Sequence, residues 1–156
     1  MSGPRSNDDA FRLGITITRV FNAPRERVWR EWTELEAFAD WFGAANGEVP
    51  LHTVSMDVRP GGSLRLTMYA GPERREIKWT GVYREVKPPE RLVFTISDQP
   101  DDERYELIIV MLTDLGDGHT EMLLQQHGLM SPEQYEAASS GWSTFLDRID
   151  ERLAQS

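Results

Sequence analysis

Few side chains in this sequence could do chemistry, and their spacing argues against most of it. The three histidines, His52, His119 and His127, are scattered. No two of them share the spacing of a metal-ligand pair. His119 falls at a hairpin turn, where solvent exposure accounts for it. His127 ends a strand beside Gly128 and points outward if Gln126 points inward. A surface role is the expectation for each. No Ser-His-Asp order emerges from these positions. The absence of cysteine removes thiolate nucleophiles, cysteine zinc sites and disulfides. Asp98, Asp101, Asp102 and Glu103 carry hard oxygen donors of the kind a cation takes, but without EF-hand spacing. A solvated acidic loop is expected there. Arg59-Pro60-Gly61-Gly62 has the glycines of a phosphate loop but no lysine, and Leu64 onward reads as strand rather than helix. It is expected to be a turn. No metal, no cofactor and no catalytic residue is expected.

What remains is binding chemistry. Trp41, Trp79, Tyr83, Phe94, Tyr135, Trp142 and Phe145 all fall on faces assigned inward. Most such residues simply fill a core. Two features favour a cavity among them. Gln126 is in register with Met122 and Leu124, which puts a polar group on an apolar wall. Tyr83 adds a hydroxyl on the face of Trp79. A few polar groups in an apolar surround are typical of small-molecule sites. Met68 and Met122 suit a wall that accepts varied shapes. Met111 belongs with them by type, but its strand is apolar on both sides and leaves its direction open. The candidate ligand-binding residues are Phe38, Trp41, Leu66, Met68, Trp79, Tyr83, Phe94, Met122, Leu124, Gln126, Tyr135, Trp142 and Phe145.

The element that positions several of them is the stretch from Ser131 to Leu153. Ser131 is a helix cap, Pro132 suits the first helical position, and Gln134 completes a capping box. Tyr135, Ala138, Trp142, Phe145, Leu146, Ile149 and Leu153 then fall in a stripe roughly 100° wide. A helix of about 23 residues is roughly 35 Å long and crosses a small domain. Gly141 marks a bend or a close backbone approach.

Its partner surface is predicted as strands. Leu13–Phe21 alternates as a first strand. Asn22-Ala23-Pro24 then starts a helix with Pro24 as its first residue and Val28, Trp29 and Trp32 on its apolar side. Thr33 is expected to cap a second short helix, with Glu36 three residues on and Leu35, Phe38, Trp41 and Phe42 buried. Residues 43–50 read as loop. From Leu51 the period becomes two. Val54, Met56 and Val58 make one strand, and Leu64, Leu66 and Met68 the next. Ile77, Trp79, Gly81 and Tyr83 share a face, where the glycine signals a bulge or close approach. Leu92, Phe94 and Ile96 follow. Tyr105–Leu112 is apolar on both faces, as a covered central strand would be. Gly116-Asp117-Gly118 makes a hairpin turn into Thr120–His127. Short connections imply an antiparallel sheet that curls around the last helix.

The 156 residues favour one domain, spanning 11–156, after a polar leader, 1–10, without an apolar signal core. No apolar run approaches the roughly 18 residues of a membrane span. The net charge of −9 argues against nucleic-acid and anionic-membrane partners. The lack of cysteine fits a reducing cytosol, and a cytoplasmic location is expected.

Read together, these stretches resemble the START-related helix-grip superfamily (SRPBCC). Within it the chain is similar to proteins like the C-terminal domain of the heat-shock-protein-90 ATPase activator. The stretches are FNAPRERVWREWTELEAFADWF from Phe21, DVRPGG from Asp57, GVYREVKPPERLVFT from Gly81, DGHTEMLLQQHGL from Asp117 and GWSTFLDRIDERL from Gly141. The resemblance implies an α+β fold: an antiparallel sheet of about seven strands wrapped around the C-terminal helix, with two short helices after the first strand. It also implies a cavity between sheet and helix, closed at one end by the short helices. Superfamily relatives bind lipids, sterols, hormones or polyketides there, and a few cyclise polyketides. The expected function is non-enzymatic binding of a hydrophobic small molecule by a monomer or a homodimer. A chaperone-associated interaction module is the alternative. A cyclase-like enzyme ranks last, because no nucleophile or dyad stands out.

Overall fold

The structure, a computed structural model, describes residues 14–44 and 47–155. The leader at 1–10 and Leu13 of the expected first strand lie outside the described residues. Strand β1 (Gly14–Phe21) leads into helices α1 (Arg25–Thr33) and α2 (Leu35–Trp41). Two-residue strands β2 (Gly47–Glu48) and β3 (Ser55–Met56) flank a short 3-10 turn at Leu51–Thr53. The meander β4 (Ser63–Ala70), β5 (Arg75–Lys87), β6 (Arg91–Ile96), β7 (Glu106–Gly116) and β8 (His119–His127) follows, and helix α3 (Pro132–Ala154) ends it. The strands form one antiparallel sheet in the order β1-β8-β7-β6-β5-β4-β2, with β3 also paired to β4. This is the α+β helix-grip architecture anticipated above.

Alternation decides which side of the sheet faces α3. On β8, Thr120, Met122, Leu124 and Gln126 are buried while their neighbours are half-exposed. The register carries this face across the sheet: Leu124 pairs with Ile17 on one side and Val110 on the other, and Val110 pairs with Leu92. On α3 the buried residues are Tyr135, Trp142, Leu146, Ile149 and Leu153. Burying each large side chain here contributes about 1.5–3 kcal/mol. Tryptophans from α1, α2 and α3 meet at the centre: Trp32 lies 4.8 Å from Trp41 and 5.9 Å from Trp142 between ring centroids.

Charged pairs fix the position of α3. The Arg19 guanidinium on β1 donates to Asp147 and Asp150 at 2.9 and 3.0 Å. At the other side Arg152 donates to the carboxylate of Glu31, a residue only 2% exposed, at 2.6 Å. Arg148 reaches Asp40 at 2.9 Å. The capping box forms as expected: the Gln134 N–H donates to the Ser131 hydroxyl, and the Ser131 N–H donates to the Gln134 side chain.

The structure corrects several local readings. Thr33 does not cap α2. Its hydroxyl donates instead to the Trp29 carbonyl one turn back, and Glu34 occupies the cap position without a side-chain bond. Pro24 precedes α1 as its cap rather than opening it. Leu35 is 36% exposed rather than buried, because it begins α2 on the side away from the core. Residues 43–50 are not all loop, since β2 pairs with the end of β4. The strand expected around Val54–Val58 shrinks to Ser55–Met56, as the turn at Arg59–Gly62 folds back onto Asp57. The outer face of β7 is not covered: Met111 points away from α3 and is 38% exposed. Gly81 does mark a close approach, because a Cβ there would collide with the Thr95 carbonyl. Gly141 does not: a Cβ there would meet nothing within 4 Å among the described residues.

Candidate functional site

Between the sheet and the first half of α3 lies a cavity of about 760 Å³. Helical spacing supplies one wall, because Gln134, Ala138, Gly141, Trp142 and Phe145 lie along one side of α3. The sheet supplies the opposite wall through Met68 on β4, Trp79 on β5, Ile96 on β6, Glu106 on β7 and Gln126 on β8. Phe42 and Gly43, just after α2, close one side. The β6–β7 loop at 97–105 and the segment before α3 rim the opening with Asp98, Asp102, Arg104, Tyr105, Leu129 and Met130.

The floor is aromatic. Phe42 meets Trp79 edge-on at 5.5 Å between centroids, with the planes 89° apart. Phe42 also lies 5.3 Å from Phe145, which lies 5.7 Å from Trp142. These edge-to-face and tilted arrangements are the favoured ones for aromatic pairs.

A polar chain crosses this apolar setting. The Trp142 indole N–H donates to Gln126 Oε1 at 2.7 Å. The same amide donates through Nε2 to Glu106 Oε1 at 3.0 Å. The other Glu106 oxygen accepts the Leu129 backbone N–H at 3.1 Å. Gln126 is 5% exposed, and a buried amide needs both ends satisfied. The Tyr135 hydroxyl accepts from the Met130 N–H at 3.3 Å and faces Glu106. Burial, followed by the polar influence and then the negative charge of the Glu106 carboxylate, pushes its hydroxyl up to about 12. At the rim, hydrogen bonds from Arg104 hold the Asp102 carboxyl at about 2. The buried Trp79 indole N–H has no hydrogen-bond partner among the described residues.

Of the residues expected from sequence, Met68, Trp79, Gln126, Trp142 and Phe145 meet at this cavity. Phe38, Trp41, Leu66, Phe94, Met122, Leu124 and Tyr135 do not line it and are packed in the core. Tyr83 is also core. Its backbone bonds to Gly61 and Gly62, its ring packs 5.9 Å from Phe94, and burial followed by the charge of Asp57 raises its hydroxyl above the usual range. The sequence reading missed Glu106, Phe42 as a lining residue, and the rim loop. A signal for Glu106 was present: it is in phase with Ile108 and Val110, so its strand turns it inward.

Among the described residues no group of acidic or histidine side chains has metal-site geometry, and no helix is long and apolar enough to cross a membrane. A smaller hollow of about 560 Å³ lies beside Asp40, Glu48 and Arg152, three side chains already engaged in ion pairs.

A family model described as activator of Hsp90 ATPase homolog 1-like protein matches residues 22–154. None of the curated proteins matches significantly. Among solved structures, the chain is similar to protein CV1439 from Chromobacterium violaceum, with 24% identity and a TM-score of 0.80 over 90% of this chain and 96% of that one. It is similar to the AHSA1 protein from Silicibacter pomeroyi, with 21% identity and a TM-score of 0.79 over 91% and 98%. It is also similar to a protein from Arthrobacter aurescens, with 21% identity and a TM-score of 0.78 over 95% and 88%. At these identities the likeness is one of fold.

Proposed function

From the premise that the chain belongs to the activator of Hsp90 ATPase homolog 1-like family, we propose that it binds a hydrophobic small molecule between the sheet and α3. The observation that carries this reading is the cavity itself: about 760 Å³, floored by Phe42, Trp79, Trp142 and Phe145. That volume falls in the range of small-molecule sites, roughly 300–1,000 Å³. A thermal-shift screen against fatty acids, sterols, flavonoids, aromatic polyketides and amphipathic amines tests the reading. A ligand at about 100 times its dissociation constant adds roughly 2.7 kcal/mol to stability. A saturable shift lost in Trp142→Ala supports the reading. A flat screen on a cooperatively melting protein contradicts it.

A second reading, a module that docks on a chaperone, draws on the family description and on the outer sheet face, where Val20, Met111 and Leu115 are exposed. Retention of the protein on an immobilised bacterial Hsp90-type chaperone would favour it over the first.

A further inference from the structure

The charge around the cavity narrows its ligand class. Among the described residues, four charged side chains line it: Asp98, Asp102, Arg104 and Glu106. Arg104 grips Asp102 through two guanidinium nitrogens at 3.1 and 2.7 Å, so these two charges cancel. Asp98 and Glu106 have no such cation: among the described residues neither belongs to an ion pair. Among the described residues, two negative charges at the cavity are therefore uncompensated.

Glu106 is also held in place. Gln126 and the Leu129 N–H donate to its two oxygens. Its carboxylate lies against Gly128, where any side chain would displace it. An ionised carboxylate offers about four lone-pair sites. Gln126 and Leu129 account for two of them, which leaves acceptor capacity toward the cavity that Glu106 lines. A fixed acceptor costs a ligand little ordering. Trp79, Trp142 and Phe145 line the same cavity, and aromatic rings attract positive charge through their quadrupoles.

We infer that the cavity selects amphipathic organic cations, with an apolar body against the aromatic floor and an ammonium or amidinium group paired with Glu106. This rests on the binding reading above and specifies its ligand. The same charges disfavour fatty acids and other apolar anions, because the described lining is net negative and its cation, Arg104, is already paired with Asp102.

The test is a tryptophan-fluorescence titration with three probes on one skeleton: naphthylmethylammonium, naphthylmethanol and naphthoate. The expected order is cation, then alcohol, then carboxylate. The cation should bind about tenfold tighter than the alcohol, which corresponds to ~1.4 kcal/mol. Glu106→Gln should bring the cation-to-alcohol affinity ratio close to one. Asp98→Asn, at an exposed rim position, should lower that ratio by a smaller factor and guards against a Glu106 variant that folds poorly. Equal or tighter binding of naphthoate overturns the inference while leaving the binding reading intact. So does a ratio unchanged in both variants. If none of the three probes binds, the binding reading fails and takes the inference with it.

Discussion

Trp142 on the last helix donates its indole N–H to the side-chain oxygen of Gln126 on the last strand, 2.7 Å away. Sixteen positions apart, the two residues join the helix to the sheet at the wall of the cavity. The bond satisfies an indole that is 6% exposed and an amide that is 5% exposed, and Glu106 anchors the far end of the amide.

Gln126→Leu keeps the volume and removes both bonds. It leaves the Trp142 N–H without an acceptor and Glu106 without one donor. Leaving a buried polar group unsatisfied costs about 1–3 kcal/mol. Urea denaturation should show that loss, and the double variant Gln126→Leu/Trp142→Phe should recover part of it. A double variant whose loss equals the sum of the two singles would mean that the bond contributes nothing specific.

Arg152→Met strands Glu31, whose side chain is 3% exposed against Arg152. Removing one partner from a buried pair is costlier than replacing both, at about 3–5 kcal/mol. The Glu31→Leu/Arg152→Met double variant should therefore be more stable than Arg152→Met alone. Equal stabilities by guanidinium melts would show that the pair is effectively solvated.

Gly141→Ala should stabilise the protein. A helical glycine costs about 0.8–1.0 kcal/mol relative to alanine, and the added methyl meets no atom within 4 Å. A rise in the denaturation midpoint with an unchanged slope is the expected result. A fall would mean that α3 needs the glycine for a bend.

The alkaline limit follows from two tyrosines. Burial raises Tyr135 from 10.0 to about 12 and raises Tyr83 further. A group whose folded value lies above its unfolded one contributes fully below the unfolded value and loses that contribution as pH rises through the folded value. The Tyr135 contribution is therefore intact below pH 10 and fades between 10 and about 12. Ultraviolet titration of the phenolates should show these two ionising late, and Tyr135→Phe should flatten the decline in stability across that window. Early ionisation of all tyrosines in the folded protein would contradict the packing of both rings.

Features written in adjacent residues were legible in the sequence. Ser131, Pro132 and Gln134 announce the start of α3 because a cap is satisfied within one turn. The hairpin at Gly116–Gly118 is local too: all three of its residues adopt positive φ. The inward phase of Met122, Leu124 and Gln126 follows from alternation alone. Features settled by distant partners were not legible. The strand at Gly47–Glu48 exists because Tyr69 and Ala70 pair with it, and Thr33 had a competing acceptor one turn back that its spacing to Glu36 did not reveal. The candidate site divides along the same line. Period and type identified Trp79, Gln126, Trp142 and Phe145, but buried aromatics look alike whether they line a space or fill one. Phe94 and Tyr83 proved to be filling. Which loop rims the cavity, and hence the place of Asp98, Asp102 and Arg104, depends on how the β6–β7 connection folds over it, and no short pattern encodes that.

The central claim is that the space between the sheet and α3 holds a ligand. The most direct measurement is a fluorescence titration of the unaltered protein beside Gly141→Leu, using naphthylmethanol as a neutral probe and the quenching of Trp142 and Trp79 as the signal. Gly141 lines the cavity, and a side chain there projects into open space, so leucine should fill the site without breaking the fold. The account predicts saturable quenching in the unaltered protein and at least a tenfold loss of affinity, ~1.4 kcal/mol, in a Gly141→Leu protein that still unfolds cooperatively. Equal binding by both proteins, or no saturable binding by either, would contradict it.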